Sequence, residues 1–251
     1  MAEFDGVRAK LYKEALSDFP NARQGDIELM KKYLSPKPGE VILEIGAGNG
    51  MFSGTIADVV LPGGKLVVSD PSGEQLDGVS ELNRSNIEIK NEGADNLTLE
   101  KGSVDAIWSF GAMHHVFNKT ASFKNFYRVL KSGGRLVIGD VFSGTTLAQH
   151  FDDRVAKFCV TGHEVSFWSR EYAESLCILN GFEKPTFYDF NANWVFDKKE
   201  DTGDFLYKLH AMTKTTPEEC LSGAEEILGV VEKEGKFYLN WPMTMIVTKK
   251  K

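Results

Sequence analysis

"VILEIGAGNG", residues 41–50, is the stretch on which the fold turns. Val41 to Ile45 is an apolar run carrying one acid, Glu44. A short run of this kind, bounded by turn residues, reads as a buried strand. Gly46, Gly48 and Gly50 then follow at every second position, with Ala47 between the first two. Glycine adopts backbone conformations closed to other residues and lets the chain approach a ligand closely. The spacing is not the G-x-G-x-x-G of dinucleotide sites, because position 51 is Met. Asp70 closes the next apolar run, "KLVVSD" (65–70), where an acid can accept ribose hydroxyls. Loop and acid together favour an adenosine ligand without a bridging pyrophosphate.

Further strand-like runs lie outward from this point at "NIEIKN" (86–91), "VDAIWSF" (104–110) and "RLVIGD" (135–140). Helical periodicity separates them, clearest where Phe123, Phe126, Tyr127 and Leu130 form one stripe, with Gly133–Gly134 as the expected stop. Strand alternating with helix implies a parallel sheet covered on both faces. Residues 1–35 read as helical, with Ile27, Met30 and Leu34 on one face. Beyond Asp140 the rhythm changes. A helix is predicted with Ser169 as N-cap and Gly181 at its end, and two late strands at "KPTFYDFNANWVF" and "KFYLNWPMTMIVTK". Two helices between them, the second "TPEECLSGAEEILGVV" with Thr216 as cap, form a small cap.

Lys plus Arg number 29 against 36 Asp plus Glu, a net charge of −7, which argues against a nucleic-acid backbone binder. Apolar residues are 42% of the chain, yet no run reaches the roughly 20 residues of a membrane helix. The opening "MAEFDGVRAKLYKEAL" lacks the pattern of a secretory signal. Cys159, Cys177 and Cys220 are odd in number and show no C-x-x-C spacing, which fits reduced thiols in a cytoplasmic protein.

Five segments in order resemble the class I S-adenosylmethionine-dependent methyltransferases, over about residues 35–142. "ILEIGAGNG" is similar to that family's first motif, "VVSDPS" to its second-strand acid and "GADNL" to the segment that meets adenine. "SVDAIWSFGAMHHV" resembles the fourth strand and its loop, and "FYRVLKSGGRLVIGD" the helix, turn and fifth strand. The resemblance implies an α/β fold: a Rossmann-like, seven-stranded, mostly parallel sheet with helices on both faces and its last strand antiparallel, with the cap inserted between the last two strands. It implies S-adenosyl-L-methionine as cofactor, met by Glu44, Gly46, Ala47, Gly48, Gly50, Asp70, Pro71, Ala94, Asp95, Ser109 and Phe110. The expected organisation is a single domain over 1–251, with a helical segment 1–35, a cofactor-binding core 36–142 and a substrate-side half 143–251 containing the insertion at about 198–232.

His114 and His115 follow the fourth strand, where this fold faces the transferring methyl, and His163 follows the fifth. These are the candidate proton acceptors, since histidine titrates near neutral pH. His150, Asp153 and His163 lack the spacing of a ligand motif, so no metal is expected. Arg23 reads as part of a solvated helix start, and Phe167, Trp168, Trp194, Phe196 and Tyr207 as core or cap packing. The expected reaction is methyl transfer to a small molecule, with no nucleic acid or membrane partner. The alternatives are a protein or RNA acceptor, a non-catalytic cofactor-binding protein, and a nicotinamide oxidoreductase, which Met51 disfavours.

Overall fold

The computed structural model describes residues 4–251. Its helices are α1 (Val7–Asp18), α2 (Gln24–Leu34), α3 (Ser53–Val59), α4 (Gly73–Glu81), α5 (Lys119–Val129), α6 (Thr146–His150), α7 (Ala156–Phe158), α8 (Arg170–Leu179), α9 (Lys199–Leu209) and α10 (Pro217–Ile227). The strands are β1 (Val41–Ile45), β2 (Lys65–Ser69), β3 (Ile87–Lys90), β4 (Val104–Phe110), β5 (Leu130–Asp140), β6 (Thr186–Asn191), β7 (Trp194–Phe196), β8 (Val230–Lys233), β9 (Lys236–Leu239) and β10 (Pro242–Lys249). They build two compact units. The first takes residues up to Leu29, Val141–Glu164 and Phe190–Met243; the second takes Met30–Asp140, Val165–Asp189 and Thr244–Lys251. Among the described residues no helix is long and apolar enough to cross a membrane.

The second unit carries the expected seven-stranded sheet, in the order β3-β2-β1-β4-β5-β10-β6. β1 pairs in parallel with β2 and β4, and β10 runs antiparallel to β5. Ile42, Leu43, Leu66, Val68, Ile107, Trp108, Val137 and Ile138 are fully buried, as strands covered on both faces require. Strand order reverses direction at β1, whose neighbours are β2 on one side and β4 on the other. The crevice outside the carboxyl ends of such strands is where open α/β sheets bind ligands.

Several local readings are corrected here. α5 ends at Val129, four residues before Gly133, because Leu130 already pairs with Val104 of β4. Gly133 instead has φ +75° within β5, and its N–H bonds the Lys250 carbonyl at 3.0 Å. Each late strand is two strands. The first breaks at Asn193, which has φ +47°, and β7 joins a separate three-stranded sheet, β7-β9-β8, in the first unit. β8 falls in and just beyond the stretch read as the end of a helix; α10 stops at Ile227, and Gly229 (φ +88°) turns the chain into the strand. The cap is therefore two helices plus a sheet. The caps at Ser169 and Thr216 are present, accepting from the Tyr172 and Glu219 N–H groups.

Candidate active site

The glycine loop leaves the carboxyl end of β1 and is tied down by its own backbone. The N–H groups of Gly46 and Ala47 bond the Ser69 carbonyl at 2.8 and 3.3 Å, and that of Gly50 bonds the Ala47 carbonyl at 3.0 Å. Gly46, Gly48 and Gly50 have φ of +66°, +52° and +84°, the left-handed region that side chains disfavour. At Gly46 there is a second reason: a Cβ there would lie 2.2 Å from Ala112 Cβ, in the loop after β4. The first glycine thus lets two strand-end loops close on each other.

Asp70 holds the loop to β2. Its Oδ2 accepts from the Gly48 N–H at 3.0 Å and its Oδ1 from the Ser72 N–H at 2.9 Å. Ser72 itself caps α4, accepting from Gln75 N. Glu44 is buried, and its Oε2 accepts from Ser53 Oγ at 2.6 Å. Burial pushes its carboxyl up to about 8; the Ser53 bond opposes this and the Asp70 charge adds to it.

The remaining candidates differ in what they offer. Ala94 is buried and Asp95 exposed, in a 3-10 turn (Ala94–Asn96) held by Asn125 Nδ2 on the Ala94 carbonyl. Arg128 Nη2 donates to the Leu97 carbonyl at 2.6 Å just beyond. Pro71 is exposed. The Ser109 hydroxyl is used within the sheet, donating to the Ile45 carbonyl at 3.0 Å. Phe110 packs against Phe52 and Trp108, and its ring requires glycine at 139, where a Cβ would meet it at 2.6 Å.

After β4 a 3-10 turn, Met113–His115, carries the paired histidines. His114 is buried, and its Nδ1 lies 2.5 Å from Asp140 Oδ1, at the carboxyl end of β5. Its backbone N–H bonds Asp140 Oδ2 at 2.9 Å, and the Trp168 indole N–H donates to the same oxygen at 3.1 Å. A carboxylate accepts, so this bond places a proton on His114 Nδ1. Lys119 is buried close by, its Nζ bonding the Val116 carbonyl at 2.8 Å and lying 5.3 Å from the Trp168 ring. Burial pulls the Lys119 ammonium below its ordinary value, while the Asp140 charge opposes the shift. His115 is half-buried with its ring 4.2 Å from that of His114. Sequence reading missed Asp140 and Lys119, and took Trp168 for packing alone. The only signal was an acid closing an apolar strand.

His163 belongs to the first unit, its ring 4.8 Å from Phe151. His150 is there too, fully buried among rings, while Asp153 bonds Gln149 and pairs with Lys157. Arg23 is not a solvated helix start: it pairs with buried Asp26 at 2.7 Å and lies over Trp194, whose indole N–H also points to Asp26. Trp168, Trp194 and Phe196 are buried core.

A methyltransferase-domain family model matches residues 43–138, which span the loop, Asp70 and His114. The arsenite methyltransferase of Halobacterium salinarum is 25% identical over 186 residues, 70% of this chain and 46% of that protein. The ubiquinone/menaquinone biosynthesis C-methyltransferase of Haemophilus ducreyi is 28% identical over 107 residues, 41% of each. The chain thus spans about half the length of the curated relatives it matches. Among solved structures, geranyl diphosphate C-methyltransferase from Streptomyces coelicolor, with S-adenosyl-L-homocysteine bound, has a TM-score of 0.61 over all of this chain and 86% of that one. At 16% identity that likeness shows the fold. The domain match over residues 43–138, the strand order and the loop at the end of β1 agree, and this part of the chain is similar to the class I S-adenosylmethionine-dependent methyltransferases.

Proposed function

We propose that this chain moves the methyl group of S-adenosylmethionine to a small-molecule acceptor, as a cytoplasmic enzyme. The observation that carries the reading is the loop at the strand-order reversal, where three left-handed glycines lie beside two acids, Asp70 bonded to the loop and Glu44 buried with its carboxyl pushed up to about 8. That donor set fits the cofactor: Asp70 places a carboxylate at the end of β2, where ribose hydroxyls would donate to it, and Glu44 is a buried carboxyl that an ammonium group would ionise. Gly46, Ala47, Gly48 and Gly50 would border the methionine part, and Pro71, Ala94, Asp95, Ser109 and Phe110 the adenosine. When bound, S-adenosylmethionine supplies a methyl group already activated by a cationic sulfur. The chain then contributes alignment, and positioning of this kind is worth about 7–11 kcal/mol.

His114 is the proton acceptor in this reading. Asp140 holds the ring at Nδ1 and the backbone N–H of His114 beside it, which leaves Nε2 as the basic atom, so a proton leaving a hydroxyl or thiol acceptor passes to Nε2. His115 takes a supporting place. Support for a small acceptor comes from the relatives named for arsenite and for quinone biosynthesis, and from the net charge of −7.

The test has two arms. S-adenosylhomocysteine at 100 times Kd adds about 2.7 kcal/mol, a melting shift of roughly 5–10 °C, and NAD should give none. Methyl-labelled cofactor incubated with cell extract should then place label in the low-molecular-weight fraction. Label confined to protein or RNA overturns the small-molecule reading, and a shift with NAD alone overturns the cofactor.

A further inference from the structure

We propose that Gln75 donates a hydrogen bond from Nε2 to N3 of the cofactor's adenine, so that the protein selects its methyl donor by the base as well as by the ribose. This role rests on the cofactor reading above and gives α4 a part in binding beyond its packing.

Gln75 is only 3% exposed, and among the described residues its Nε2 has no hydrogen-bond partner. The chain's two other glutamines are exposed and bonded: Gln24 donates from Nε2 to the Pro20 carbonyl, and Gln149 to Asp153. A primary amide carries two N–H donors, and burying one unbonded costs free energy that a methionine of similar length would not incur. Native folds keep few such groups without a ligand or water to complete them.

The helix seats this amide beside the crevice. Gln75, Gly78 and Val79 share one face of α4. That face is pressed on the glycine loop: a Cβ on Gly78 would lie 1.6 Å from Asn49 Oδ1, and one on Gly50 would lie 3.1 Å from Val79 Cγ2. Gln75 is one turn nearer the start of the helix, where the cap Ser72 follows Asp70 and bonds its carboxylate. This sets the amide between the loop and the acid that would meet the ribose. Its terminal torsion is broad and two-fold, so the amide turns to a ligand without leaving a rotamer well.

Donors alongside it are committed or missing. Pro71 has no N–H. The Ser72 N–H goes to Asp70 Oδ1 at 2.9 Å, the Gln75 N–H to Ser72 Oγ at 3.2 Å and the Ser69 hydroxyl to the Glu92 carbonyl at 2.6 Å. In an adenosine whose ribose hydroxyls meet Asp70, the ring nitrogen of the base on the sugar edge is N3, a lone pair without a proton. The Gln75 amide supplies the donor that N3 lacks.

Calorimetry on the full chain compares S-adenosylhomocysteine with its 3-deaza analogue, in which a C–H replaces N3. The unmodified protein should bind the analogue about tenfold more weakly, the worth of one such bond. Gln75→Met should bind both ligands equally, with the ligand-free Tm not lowered. Isotope labelling of the glutamine side-chain amides gives a second readout on the unmodified chain, assigned by substituting exposed Gln24 and Gln149. The Gln75 amide protons should move downfield with S-adenosylhomocysteine and not with the analogue, which decides the matter even if Gln75→Met fails to fold. Equal affinities for the two ligands, a Gln75→Met variant that keeps the preference, or a Gln75 amide indifferent to N3 overturns the proposal and leaves the cofactor reading in place. No binding of S-adenosylhomocysteine at all overturns both.

Discussion

Titrating this protein with S-adenosylhomocysteine at pH 7 should release close to one proton per site. Glu44 holds its proton up to about pH 8, because burial penalises the charged carboxylate more than the Ser53 hydrogen bond favours it. At pH 7 a group of that pKa is about 0.9 protonated. An ammonium brought beside it favours the ionised form, so the proton leaves as the ligand binds. Calorimetry at pH 7 in phosphate and in Tris reads this directly, as heats differing by the buffers' ionisation enthalpies. Because binding competes with the proton, affinity should rise about tenfold from pH 6 to 7 and level off above pH 8. The ligand-free fold shows the opposite dependence. The carboxyl is raised from its ordinary 4.5, so its contribution to stability is full below pH 4.5 and is lost as pH rises through about 8. The loss is at most of order 5 kcal/mol, at 1.36 kcal/mol per pH unit. Glu44→Gln removes both effects: no proton is released, and Tm rises more at pH 8 than at pH 5. Buffer-independent heats at pH 7, or equal proton release from Glu44→Gln, would refute the reasoning.

Three further outcomes are expected. Gly46→Ala places a methyl 2.2 Å from Ala112 Cβ at φ +66°. The left-handed strain and the overpacking together should cost roughly 2–5 kcal/mol in a urea-denaturation measurement, and a cost near zero would mean the two loops do not close there. Asp140→Asn should leave S-adenosylhomocysteine affinity within about twofold while lowering turnover by about 10²–10⁴, the usual loss on disabling a general base. Unchanged turnover would make the His114–Asp140 bond structural. Cys177 and Cys220 have thiols pushed up to about 12 by burial, and Cys159 is buried too. All three should resist an aromatic disulfide reagent at pH 8 in the native protein and react in denaturant, since only thiolate attacks; fast native labelling would contradict the burial.

What the sequence determined by itself is local. The strands β1, β2 and β4 were legible because a buried parallel strand must be apolar throughout, and the caps at Ser169 and Thr216 because a side-chain oxygen there meets an N–H three residues on. The glycine loop and Asp70 stood out for the same reason: their spacing reports backbone geometry within one turn. The missed elements depend on distant pairing. β8 has four residues and takes its strand character from its ladder with β9, not from a pattern of its own. Arg23 was misread because the acid it pairs with is buried beneath Trp194, 168 residues from Asp26 along the chain. Asp140 meets His114 across 26 residues only because β4 and β5 are neighbours whose carboxyl ends lie side by side. Glu44 is ordinary in sequence, and only the packing that excludes water around it gives its carboxyl a pKa of about 8. Protonation states and long-range partners follow from what tertiary packing removes from water, and no window of neighbouring residues contains that information.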